Sequence, residues 1–133
     1  MGAAPPVEAT LHASGVETYQ YYSIERDEVR VAQARRLASQ QAARSGHFDG
    51  VIALGCVIRG ETPHFDYVCA ETTRGLGQVG LQEALPVAFG LLTTDNLQQA
   101  LQRSSDNADN KGEEAILTVL EMLKTLKNIA GGS

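Results

Sequence analysis

The chain has 133 residues, of which 43% are hydrophobic and 20% are charged, the usual balance of one globular domain. Its net charge is −5 and it contains no basic run, which argues against a nucleic-acid partner. The apolar runs are far shorter than the roughly 20 residues of a membrane span. Residues 1–14 lack the basic start and apolar stretch of a signal peptide. We therefore expect a cytoplasmic protein without a membrane partner.

The amino-terminal third predicts an arm, a weak strand and a helix. Residues 1–15 are rich in Ala and Pro and have no period, which predicts a flexible arm or an expression remnant. Residues 16–24 carry a weak strand signal. Residues 26–45 predict a helix that Gly46 ends. Its expected apolar face consists of Val31, Ala34, Leu37, Ala38 and Ala42.

The remaining chain alternates strands with helices. The apolar run at Val51–Ile58 predicts a buried strand. A helix follows at residues 64–82, with Phe65, Val68, Cys69, Leu76 and Val79 facing inward. Residues 86–93 predict a second strand, and Leu97, Ala100 and Leu101 a short helix. The last helix, at residues 110–129, has its apolar face at Ala115, Val119, Leu120, Leu123 and Leu126.

This alternation predicts parallel βαβ units and hence a three-layer αβα sandwich with a small parallel sheet. We expect a single domain over residues 16–130 and a linker-like tail at residues 131–133. The two cysteines, Cys56 and Cys69, are too few for a disulfide framework. They are expected to be small buried side chains in a reducing compartment.

Two turns follow the predicted strands, where ligands bind in open α/β sheets. The turn from Gly60 to His64 precedes a helix, so its free N–H groups could bind a phosphate. The alternative is an ordinary helix start with Thr62 as the N-cap and a solvated His64. The second turn, at residues 93–96, is most simply an N-cap cluster. Lys111 opens the last helix, where its charge opposes the helix dipole.

Three segments together resemble one enzyme family. They are FDGVIALGCVIRGETPHFDYV at residues 48–68, PVAFGLLTTDNLQQALQR at residues 86–103 and NKGEEAILTVLEMLKTL at residues 110–126. Their order and spacing are similar to those of bacterial 6,7-dimethyl-8-ribityllumazine synthases, the lumazine synthases of riboflavin biosynthesis. The resemblance runs from about Phe48 to the carboxyl terminus and implies a flavodoxin-like α/β fold.

The resemblance also implies a role for individual residues. His64 matches the proton-transfer histidine, Arg103 the phosphate-binding arginine and Lys111 a lysine beside the reacting groups. The matched substrate-binding residues are Cys56, Val57 and Ile58 at the strand end, Gly60, Glu61 and Thr62 in the phosphate turn, Phe89, which a neighbouring subunit presents, and Glu114 beside the Arg–Lys pair.

The implied reaction condenses 5-amino-6-(D-ribitylamino)uracil with 3,4-dihydroxy-2-butanone 4-phosphate. It requires no cofactor and no metal, and the sequence has no Walker, zinc-ligand, nucleophile-elbow or Rossmann motif. The implied partners are these two small molecules and further copies of the chain, as a pentamer or an icosahedral shell of pentamers.

The first fifty residues depart from the family pattern. They contain neither the family's FNxxI loop, which stacks on the pyrimidine, nor its PGAxE segment. Two alternatives to an active synthase therefore stay open. One is a catalytically impaired or engineered shell or scaffold protein of this family, and the other is a flavin or lumazine binder without turnover.

Overall fold

The structure, a computed structural model, describes the backbone of residues 28–131 and the side chains of residues 35–131. In chain order these residues form α1 (Glu28–Arg44), β1 (Val51–Ile58), α2 (His64–Glu83), β2 (Val87–Thr94), α3 (Leu97–Ser104) and α4 (Lys111–Ile129). The helices and strands predicted within this range are confirmed, with ends that differ by no more than three residues. The predicted arm and the weak strand at residues 16–24 lie outside the described residues.

The two strands run parallel, with Val51 opposite Val87 and Ile58 opposite Thr94. One further hydrogen bond extends the ladder, from the Arg59 N–H to the Thr94 carbonyl at 2.8 Å. Parallel strands end at the same edge of a sheet. The turn from Gly60 to His64 therefore lies beside the turn that joins β2 to α3.

Helices cover both faces of this sheet, which confirms the three-layer α/β/α arrangement. α1 and α2 pack together on one face, and α3 and α4 lie on the other. The core on the α2 side consists of Val57, Phe65, Val68 and Leu91. The core on the α4 side consists of Ala88, Ala115 and Val119. The alternation of Ala88 and Leu91 between the two faces follows from the two-residue period of a strand.

The predicted apolar face of α1 is wrong at Leu37 and Ala38, which are exposed, while Ala42 is half-buried. Leu37 is 57% exposed, whereas Ser39 is 5% exposed. The helix instead turns Arg35 and Arg36 inward, where Arg35 Nε donates to the Leu54 carbonyl at 2.9 Å. Arginine can do this because its aliphatic stem packs against apolar surface while its charged end finds an acceptor.

Two further burial predictions need correction. In α4, Ala115 and Val119 are buried as predicted, but Leu126 is 40% exposed. Cys56 is exposed and Cys69 is half-buried, so neither cysteine is the fully buried side chain that we expected. Cys56 points away from the face that carries Val57, because neighbouring strand residues alternate between faces.

Candidate functional site

Most of the predicted site residues line two separate cavities of the chain. The first, here the turn cavity, has a volume of about 90 Å³ and is lined by Val57, Ile58, Gly60, Thr62 and His64, together with Phe65 and Val68. The second, here the basic cavity, has a volume of about 440 Å³, and its lining includes Phe89, Arg103, Lys111 and Glu114. Within one chain, therefore, Arg103 lies in a different cavity from His64.

The turn cavity lies at the start of α2. Pro63 is the N-cap residue and its side chain makes no capping hydrogen bond, so the alternative with Thr62 as N-cap is wrong. Proline is tolerated there because it offers no N–H. In contrast, Asn96 and Asn110 cap α3 and α4 through their side chains, each at 2.8 Å. The Asp66 N–H donates to the Pro63 carbonyl at 2.9 Å, whereas the N–H groups of His64 and Phe65, at the very start of α2, are available to an external acceptor such as a phosphate oxygen.

The basic cavity brings together residues from three elements. Lys111 Nζ lies 2.9 Å from the Glu114 carboxylate, which offsets the unfavourable position of Lys111 at the start of α4. Arg103 is half-buried and donates to the Gln99 carbonyl at 3.2 Å. Phe89, on β2, is 41% exposed. Two cations beside one carboxylate and an aromatic ring suit a small anionic ligand.

Two of the predicted residues, Cys56 and Glu61, are exposed and line neither of these cavities. Partial burial raises the pKa of the Cys56 thiol, so this cysteine is protonated at neutral pH. A protonated thiol is a poor nucleophile. The raised pKa therefore gives no sign of an activated thiol at Cys56.

Arg59 lies directly before the Gly60–His64 turn, and the sequence alone assigned it no role. Its guanidinium bonds Asp95 at 2.8 Å and Asp66 at 3.2 Å. Hydrogen bonds to Asp95 and then to Asp66 raise the pKa of Arg59 above its ordinary value. The sequence could not identify these contacts, because Asp95 lies 36 residues away.

The described residues contain neither a metal-binding cluster nor a membrane-spanning helix. In residues 28–131 no group of three His, Cys, Asp or Glu side chains is arranged to hold a metal ion. Over the same part of the chain no helix has the length and apolar character that crossing a membrane requires.

Comparison with known proteins agrees with these features. The family model for 6,7-dimethyl-8-ribityllumazine synthase matches residues 9–127. The chain belongs to the lumazine synthase family. A lumazine synthase of Campylobacter lari is 56% identical over 92 residues, which cover 69% of this chain and 59% of that relative. The family match begins well before Phe48, so the likeness extends further toward the amino terminus than the quoted segments.

The chain thus spans less than two thirds of the lumazine synthase that it matches. The range that the family model matches, residues 9–127, includes the residues that line the turn cavity and the basic cavity. Membership in the lumazine synthase family agrees with the α/β fold.

Proposed function

We propose that this chain condenses 5-amino-6-(D-ribitylamino)uracil with 3,4-dihydroxy-2-butanone 4-phosphate to give 6,7-dimethyl-8-ribityllumazine. The observation that carries the proposal is that the family's motif residues form two cavities of complementary chemistry. One offers helix N–H groups and His64, and the other offers Arg103 and Lys111. An anionic, phosphate-bearing substrate suits both of them.

The chemistry needs little beyond positioning and proton transfer. The pyrimidine amine attacks the ketone, and loss of water gives an imine. Phosphate then leaves, the ribitylamino nitrogen closes the ring, and a further water departs. Holding two substrates together supplies much of the acceleration. A histidine can move the required protons near neutral pH, and His64 stands exposed at the cavity rim for this role.

The complete site, in this proposal, forms between two copies of the chain. The turn cavity alone is too small for either substrate, because ligand pockets usually measure roughly 300–1,000 Å³ and this one measures about 90 Å³. A neighbouring copy would place its Phe89, Arg103 and Lys111 beside His64. Rings of such head-to-tail contacts give closed assemblies, and we propose a pentamer or a shell of pentamers in the cytoplasm.

The test of the proposal is the appearance of the lumazine chromophore from both substrates. We expect wild type to form it far above the uncatalysed rate, and His64→Ala to turn over roughly one to three orders of magnitude more slowly. His47→Ala is the matched control, since His47 is exposed and lines neither cavity.

Two outcomes would contradict the proposal. A wild type no faster than the uncatalysed reaction would leave a scaffold or binding protein instead of an enzyme. A His64→Ala variant as fast as an active wild type would remove His64 from proton transfer.

A further inference from the structure

Arg59 separates the last residue of β1 from the Gly60–His64 turn, and the proposed chemistry gives it no task. We propose that Arg59 is a positioning residue that closes this turn and fixes it against the turn between β2 and α3. This inference rests on the proposed function, because it assigns the turn a phosphate-bearing substrate.

The contacts of Arg59 span the turn from one end to the other. Its backbone N–H bonds the Thr94 carbonyl at 2.8 Å, so the turn leaves the sheet at a fixed point. Its guanidinium carbon lies 4.5 Å from the centre of the Phe65 ring, just after the turn. Phe65 in turn packs in the buried core with Val57, Val68 and Leu91. The guanidinium is thereby held between the core and solvent.

Two carboxylates connect the guanidinium to the segments on either side of the turn. Asp66, in the first turn of α2, lies 3.2 Å from the guanidinium, and Asp95, after β2, lies 2.8 Å from it. The two bonds join the start of α2 to the next turn of the sheet edge. Gly60 has no atom within 4 Å of the position that a Cβ would take. Side-chain packing therefore does not hold the turn at Gly60.

Stability is a weak explanation for this cluster. The Arg59, Asp66 and Asp95 side chains are 42%, 59% and 63% exposed, and exposed ion pairs contribute little to folding. A planar guanidinium can nevertheless bond two carboxylates while it stacks on a ring, which lysine cannot do. The geometry thus suits the placement of the turn better than the stability of the domain.

The experiment compares Arg59→Ala and Arg59→Lys with the matched control Arg74→Ala. Arg74 also forms an exposed ion pair, with Glu71 at 2.9 Å, but on the middle of α2. We expect both Arg59 variants to raise the KM for the butanone phosphate about tenfold, because small displacements of a positioning group are costly. The KM for the pyrimidine should stay within about twofold and the melting temperature within a few degrees. Arg74→Ala should change neither KM.

An equal rise in both KM values, or a full rescue by Arg59→Lys, would overturn the assignment. A second readout holds even if the wild type proves inactive, which by itself would reject only the proposed function. Inorganic phosphate should slow hydrogen exchange in the peptide that spans residues 59–66, with an affinity about tenfold lower in Arg59→Ala. Equal phosphate affinity in wild type and Arg59→Ala, or no protection of that peptide in wild type, would also overturn it.

Discussion

Arg103, Lys111 and Glu114 converge on one cavity although they come from two helices. Lys111 pairs with Glu114, whereas Arg103 bonds the Gln99 carbonyl and forms no ion pair with any carboxylate among the described residues. A guanidinium that bonds only a neutral carbonyl keeps donors for an anion. Among the residues of the basic cavity, Arg103 is therefore the best candidate to bind the phosphate of a substrate.

We therefore predict that Arg103→Ala weakens the binding of inorganic phosphate. A hydrogen bond to a charged group contributes about 1.5–3 kcal/mol, which corresponds to a loss of roughly ten- to a hundredfold in affinity. Titration calorimetry measures the change, and Arg74→Ala again serves as the control. Equal phosphate affinity in wild type and Arg103→Ala would show that the basic cavity does not hold the phosphate.

At the scale of single elements, α2 ends in a strained conformation. Ala84, its C-cap, has φ 51° and donates its N–H to the Gly80 carbonyl. Left-handed backbone costs a residue with a Cβ roughly 1–2 kcal/mol, and glycine is the usual residue at such helix ends. Gly46, which follows α1, shows the common solution with φ 76°.

Ala84→Gly should accordingly raise the free energy of unfolding by about 1 kcal/mol. Ala70→Gly is the matched control, because Ala70 is an exposed residue in the interior of the same helix. There the same substitution should lower the free energy of unfolding by about 1 kcal/mol. Urea unfolding at one protein concentration compares the two variants. A loss of stability in both would mean that the Ala84 backbone is not strained.

The elements also show what the sequence could and could not predict. Hydrophobic runs located β1 and β2 well, because a strand covered on both faces must be apolar throughout. They failed for the inner face of α1, where Arg35 and Arg36 replace the expected leucine and alanine. The room for these arginines comes from Gly55 and Gly75, at which a Cβ would lie 2.6 Å and 3.1 Å from arginine side-chain atoms. Such long-range fits leave no periodic signal.

The sequence also predicted some features of the site and missed others. His64, Arg103 and Lys111, which the motif named as catalytic residues, line cavities of the chain. The motif could not show that they line two cavities, nor that Arg59 joins Asp66 and Asp95, since these relations depend on how distant segments pack. The assignment of catalytic roles to these residues stays a prediction.

At the scale of the whole molecule, several large apolar side chains among the described residues are exposed. On α4 and its end, Leu117, Met122, Leu126 and Ile129 are 49%, 44%, 40% and 76% exposed. Phe89, at the basic cavity, is 41% exposed. Large exposed apolar surfaces commonly mark interfaces. This surface supports the proposal that a neighbouring copy completes the site.

That proposal has a direct test in mixed assemblies of two impaired chains. His64→Ala and Arg103→Ala are unfolded together in equal amounts, refolded, and assayed for the lumazine chromophore. If each site takes its turn from one copy and its basic cavity from the next, about a quarter of the sites regain both groups. Light scattering on the mixture checks that assembly size is unchanged.

We predict that the mixture recovers up to about a quarter of the wild-type rate, well above either variant refolded alone. A mixture no faster than the average of the two separate variants, at the same assembly size, would contradict a site shared between copies of this chain.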